Sequence, residues 1–181
     1  MKRTTSKKKT ILSLRIGENL YTLAQIRTNS LVEFFDVFRS SPQWEGVNLN
    51  KAPIVFCAFA AEKRFKCLIT EMISDDVVTP NERPLQRLML SSIIEANDKY
   101  GADLVELDES FESTKARVIK KDLDPEKDRK TIYEYELTGM IGSADKLCTR
   151  LHRYVETGIN WDDSKSFLFK GIPLPPPSRG K

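Results

Sequence analysis

Between Thr10 and Thr70 the chain is patterned with a period of two, and this constrains the fold more than any other feature. In "ILSLRI", Leu12, Leu14 and Ile16 fall on one face; in "LYTLAQIR", Leu20, Thr22, Ala24 and Ile26 do the same. Successive side chains of an extended strand point to opposite faces, so this alternation reads as strands with one buried face. Gly17, Glu18 and Asn19 form the first tight connection, and Thr28, Asn29 and Ser30 form the second. "LVEFFDVF" is apolar on both faces, as is "PIVFCAFA", and a strand covered on both sides belongs inside a sheet or small barrel. "RFKCLIT" alternates again, with Phe65, Cys67 and Ile69 expected inward. Five short strands with short connections predict a strongly bent antiparallel sheet or a small β-barrel.

The second half changes character. "NERPLQRLMLSSIIEANDKYG" places Leu85, Leu88, Met89, Ser92, Ile93 and Ala96 on one helical face, with Pro84 in the first turn and Gly101 as a stop. A helix is expected over about 84–98. "ADLVEL" and "KARVIK" read as short strands, and Pro125 to Asp128 as a helical turn. "TIYEYELTG" reads as a strand, although a helix fits almost as well. The last element has clear ends. Ser143 is a good N-cap, Asp145 sits in the first turn, Leu147, Cys148, Leu151, Tyr154 and Val155 form a stripe, and Gly158 suits the C′ position. Arg150, His152 and Arg153 are expected to flank that stripe or face away from it.

The expected class is therefore α+β, with the sheet in the N-terminal half packed by helices from the C-terminal half. Residues 1–9 read as a disordered basic tail and 172–181 as a proline-rich tail. Residues 10–171 read as one α+β domain, β-rich over about 10–70 and mixed over about 71–171.

Charge is unevenly distributed. The formal net charge is +3, but Lys2, Arg3, Lys7, Lys8, Lys9, Arg179 and Lys181 lie in the tails. Setting those seven aside leaves 22 basic against 26 acidic residues, a net −4. A nucleic-acid binder carries basic residues on its folded face, so nucleic acid is disfavoured as a partner and a basic protein favoured. The aromatics Phe34, Phe35, Phe38, Phe56 and Phe59 lack interleaved basic residues and read as core rather than as a stacking platform. No apolar run is long enough for a membrane span or signal peptide, and the cysteines Cys57, Cys67 and Cys148 have no framework spacing. The expectation is a cytoplasmic protein, with Cys57 and Cys67 as buried thiols.

Chemistry-bearing motifs are sparse. His152 is the sole histidine and is expected on the polar side of its helix. No nucleophile elbow, P-loop, dinucleotide fingerprint or zinc-protease motif occurs, and no cofactor or metal is expected. The acidic pairs Asp75–Asp76, Asp108–Glu109 and Asp162–Asp163 read as solvated loops before acid–base couples. The candidate contacts for a partner are acids beside large aromatics: Trp44 with Glu45, Trp161 with Asp162 and Asp163, and the acidic stretch Asp108, Glu109 and Glu112.

"TILSLRIGENLYTLAQIRTNSLVEFFDVF", followed by "NKAPIVFCAFA", resembles the opening of the immunity protein 26 family of bacterial polymorphic-toxin systems. "YELTGMIGSADKLCTRLHRYVETGINWDDSK" looks like the closing part of such proteins, while residues near 80–120 match nothing in that pattern. The resemblance implies a non-enzymatic cytoplasmic protein that binds and neutralises a cognate toxin or effector. That toxin is expected to be basic, with nucleases one class that fits. The other reading open at this level is a nucleic-acid-associated β-barrel module that uses its basic tails, and an enzyme built from Lys, Arg and Glu is the third.

Overall fold

A computed structural model describes residues 9–96 and 98–178. Strands β1 (Thr10–Gly17), β2 (Leu20–Thr28) and β3 (Leu31–Arg39) form an antiparallel meander, as their period-two pattern predicts. A two-residue strand β4 (Val47–Asn48) precedes β5 (Ile54–Phe59), which pairs with β3. The short helix α1 (Glu62–Phe65) and a 3-10 turn over Lys66–Leu68 lead to β6 (Ile69–Ile73). The resulting sheet has the order β5-β3-β2-β1-β6 and is open, with β5 and β6 at its edges, rather than closed into a barrel.

That order explains the first departure from the sequence reading. Strands β5 and β6 lie on opposite edges, so the residues between them must cross three intervening strands, on the order of 20 Å at strand spacing. "RFKCL" therefore cannot continue a strand. It crosses the face of the sheet as α1 and the 3-10 turn, buries Phe65 against Phe34 at 6.4 Å, and leaves Cys67 exposed.

Both faces of this sheet are covered, by different material. Leu12, Leu14, Ile16, Ala24, Val32 and Phe34 pack against helix α3 (Ala144–Thr157) through Leu147, Leu151 and Tyr154. Ile11, Leu23 and Phe35, on the opposite face, pack under the loop that carries Trp44, Leu49 and Ala52 and under strand β7 (Val78–Thr79), which pairs in parallel with β4. The Trp44 indole N–H donates to Ser13 Oγ at 3.0 Å, which satisfies the polar edge of an otherwise apolar ring.

The second departure is the segment expected as a helix over about 84–98. It contains strand β8 (Leu88–Ile94), which pairs along its length with β9 (Tyr100–Glu106), itself paired with β10 (Arg117–Lys120). The apolar spacing of Leu85, Leu88, Met89, Ser92 and Ile93 fits a helix, but the β-branched pair Ile93–Ile94 favours extension, the adjacent serines weaken a helix, and cross-strand pairing decides between them. "TIYEYELTG" divides: helix α2 (Arg129–Glu134) takes the first half, and the second half makes a parallel bridge between Leu137 and Leu90. Helix α3 matches its sequence signals. Ser143 accepts from the Lys146 amide, and Gly158 closes the helix at φ 73°, where a side chain would be strained.

After α3 the chain turns through Ile159, Asn160 and Trp161 into helix α4 (Asp163–Leu168). Leu90, Ala102, Leu123, Ile132, Leu137, Trp161, Leu168 and Phe169 form the core beneath the second sheet. Trp161 is 1% exposed and its ring meets Tyr133 edge-on at 5.8 Å. The proline-rich end docks on this layer: Tyr133 Oη donates to Pro173 O, and the Ser178 amide donates to Gly158 O, each at 2.8 Å. Of the expected basic tail, residues 1–8 lie outside the described residues, and Lys9 pairs with Glu82.

Truncating Trp161 to Ala removes the largest side chain of this second core and is expected to cost about 3–5 kcal/mol in urea unfolding. Met72→Ala, on the exposed edge strand β6, is expected to stay within about 0.5 kcal/mol.

Candidate partner-binding cavity

The eight residues expected to contact a partner are dispersed. Trp44 is buried under the first sheet and Trp161 under the second, so neither indole offers the surface a partner contact needs; Glu45 is exposed beside Trp44. Asp108 is stapled locally. Its carboxylate accepts from the Ser110 hydroxyl at 2.6 Å and the Ser110 amide at 3.0 Å, and the hydroxyl bond above all holds its carboxyl below the usual range. Glu112 pairs with Lys115 at 2.8 Å, and Glu109 remains exposed. This acidic stretch is a self-bonded turn rather than a bare anionic patch.

Asp162 and Asp163 fare differently. Asp162 caps α4 by accepting from the Ser164 amide at 2.9 Å and lies 3.9 Å from Arg150 Nη1. Asp163 pairs with Arg153 at 2.8 Å. Both border a groove of about 370 Å³, with Trp161 in its floor and the exposed Phe167 at its rim.

Arg150 separates this groove from a second, more acidic cavity. The sequence reading placed Arg150 flanking the apolar stripe or facing away from it; it is 6% exposed. Its guanidinium lies 3.8 Å over the Phe56 ring, donates from Nη2 to Glu136 Oε1 at 2.6 Å, and donates from Nε to Asn160 Oδ1 at 2.8 Å. The Asn160 side chain in turn donates to Val55 O at 2.9 Å. One arginine thereby ties α3, the α2 exit, the α3–α4 turn and edge strand β5 together. The signal was present in the spacing: Arg150 is three residues after Leu147 and four before Tyr154, which puts it on the stripe. His152, expected on the exposed side, is half-buried, and its Nε2 lies 2.6 Å from Ile16 O at the β1–β2 hairpin.

The cavity beyond Arg150 has a volume of about 280 Å³ and is lined by β5 and β8, the outer strands of the two sheets. Glu33 on β3, Cys57 on β5, Gln86 before β8, Glu134 and Glu136 at the α2 exit, and Asn160 supply its polar lining. Leu31, Val55, Phe56 and Met89 supply much of the apolar wall. Glu33 is 1% exposed and is held from behind: Arg27 donates to Oε2 at 2.6 Å and Asn81 donates to the same oxygen at 2.8 Å. The Gln25 side chain clamps Asn81 through both backbone groups, which fixes the 80–84 segment on the sheet.

Glu136 is the other buried carboxylate. Its Oε1 takes the Arg150 bond and a long contact of 3.5 Å from Asn160, whereas Oε2 is buried and accepts from no described residue. Burial alone pushes the Glu136 carboxyl up, but the Arg150 and Lys165 charges and the hydrogen bonds outweigh it and hold it below its ordinary value. Lys165 is itself buried, donating to Ile132 O at 2.9 Å; burial lowers its ammonium pKa against the pull of Glu136. Between the two carboxylates, the Cys57 thiol is pushed up by burial and then by the Glu33 and Glu136 charges, so it stays protonated. Among the described residues no group of three or more His, Cys, Asp or Glu is placed to hold a metal ion. The lining is acid-rich, with each buried carboxylate paired to one guanidinium and Glu134 exposed beside them.

Two outcomes follow. Because the thiolate is the nucleophile, iodoacetamide at about pH 8 should alkylate exposed Cys67 first and leave Cys57 unmodified until the chain unfolds, as peptide mass spectrometry would read. The lowered Glu136 pKa means that the unfolded chain binds the extra proton below its ordinary value of 4.5, so stability falls as pH drops through that window. Glu136→Gln should flatten this part of the stability–pH curve measured by chemical denaturation.

No curated protein and no solved structure matches the chain. No helix among the described residues is long and apolar enough to cross a membrane. Residues 1–173 match the family described as "Domain of unknown function (DUF8309)". With that match spanning nearly the whole sequence, the chain belongs to the DUF8309 family.

Proposed function

We propose that this chain is an immunity protein that binds a cognate bacterial toxin domain in the cytoplasm and blocks it by capturing a basic part of its surface. The observation that carries the reading is the acid-lined cavity, where Glu33, Glu134 and Glu136 converge between the outer strands of the two sheets. The body of the chain outside its basic tails is acidic in the same sense, which favours encounter with a basic protein. The resemblance of residues 10 to 165 to immunity protein 26 supplies the biological setting. Such a protein must hold its toxin tightly, since a nanomolar complex corresponds to about 12 kcal/mol of binding free energy. Binding energy of that size concentrates in a few central anchors, and a preformed cavity suits one anchor well.

The cell-based test is co-expression with the toxin domain encoded beside the gene. Rescue of growth and a complex on a sizing column are expected. Continued killing with no complex would overturn the reading.

A further inference from the structure

Resting on that reading, we infer that the cavity between β5 and β8 seats a single arginine side chain of the partner protein, with Glu136 as the buried acceptor at its end. Three observations converge. The first is size. About 280 Å³ lies just below the roughly 300–1,000 Å³ of ordinary small-molecule pockets, so the space suits one long side chain. The second is charge. Glu33, Glu134 and Glu136 line the cavity, and no Lys, Arg or His is among its described lining residues. The cations that compensate the buried acids are not among those lining residues: Arg27 addresses Oε2 of Glu33 beside the Asn81 amide, while Arg150 addresses Oε1 of Glu136 beside Asn160, which itself lines the cavity.

The third is the unmatched oxygen. Glu136 is 9% exposed, forms part of the cavity wall, and keeps Oε2 buried without a donor. Buried acceptors are nearly always paired, so this one points to a donor that the described residues do not supply. Oε2 is closed to water as well, so the wall has to give slightly as the donor enters. A guanidinium fits better than an ammonium, because it is planar, weakly hydrated and able to reach more than one carboxylate oxygen. The Phe56 ring in the wall already accepts one guanidinium, that of Arg150. Apolar Leu31 and Met89 match the aliphatic stem of the incoming residue.

The test titrates the intact protein with N-acetyl-arginine amide, with the neutral isostere N-acetyl-citrulline amide beside it, and follows backbone amides by NMR. The arginine compound is expected to bind in the millimolar range and shift Cys57, Met89 and Glu136, while citrulline leaves them unmoved. Glu134→Lys, at an exposed position of the cavity lining, should keep the native amide spectrum and weaken arginine binding by about tenfold. Equal shifts from citrulline, shifts confined to other surfaces, or no saturable shift at all would overturn the assignment. If arginine binds as expected but co-expression fails to rescue cells, the seat stands and the immunity reading falls. If cells are rescued, and neither Glu134→Lys nor the arginine compound disturbs the toxin complex, the seat is overturned and the immunity reading stands.

Discussion

The Arg150 guanidinium is the contact on which the arrangement of the C-terminal half depends. It is buried, lies on Phe56, and bonds Glu136 and Asn160. An unpaired charge in that position would cost several kcal/mol, so α3, the α2 exit and the α3–α4 turn must all be in place before it is tolerated. Apolar packing brings α3 to the first sheet, but it does not by itself set where Glu136 and Asn160 stop. The hydrogen-bond geometry of the guanidinium does. Removing one partner leaves the others buried and unmatched, whereas the apolar contacts around them could slide.

The cavity follows from this arrangement. The outer strands β5 and β8 are bridged only locally by the 136–141 segment, at Phe59 and Leu90, and the gap beside that bridge is not filled by side chains. Arg150 and Asn160 fix one side of the gap through Glu136 and Val55 O, while Arg27, Asn81 and Gln25 fix the other through Glu33. The two carboxylates are thus held by cations that do not themselves line the cavity, and the open side stays acidic. Carboxylates fixed in this way are already oriented, which lowers the side-chain ordering that any binding there would cost.

Local patterns made part of the fold legible. The first three strands follow from Leu12, Leu14 and Ile16 alternating with polar or opposite-face residues, and α3 follows from Ser143, its apolar stripe and Gly158. What escaped depended on distant pairing. Residues 88–94 carry a spacing that a helix and a strand share, and the decision lies with β9 and the Leu137 bridge. "RFKCL" lost its strand to the topology of a sheet whose successive strands sit at opposite edges. The site behaved likewise. Asp162, Asp163 and Trp161 do border one groove, because they are adjacent in sequence. Glu33, Glu136 and Asn160 meet across more than 120 residues, and no local pattern marks them as neighbours. Arg150 alone was readable, since its helical position falls on the stripe of Leu147 and Tyr154.

The central claim is that Arg150 and Glu136 act as one buried unit. A double-mutant cycle with Arg150→Met, Glu136→Gln and the pair, followed by urea unfolding, measures this directly. Each single change should destabilise strongly, and the double variant should be markedly more stable than the sum of the two losses implies, with a coupling above about 1 kcal/mol. Additive losses would show that the two side chains contribute independently and would contradict the account.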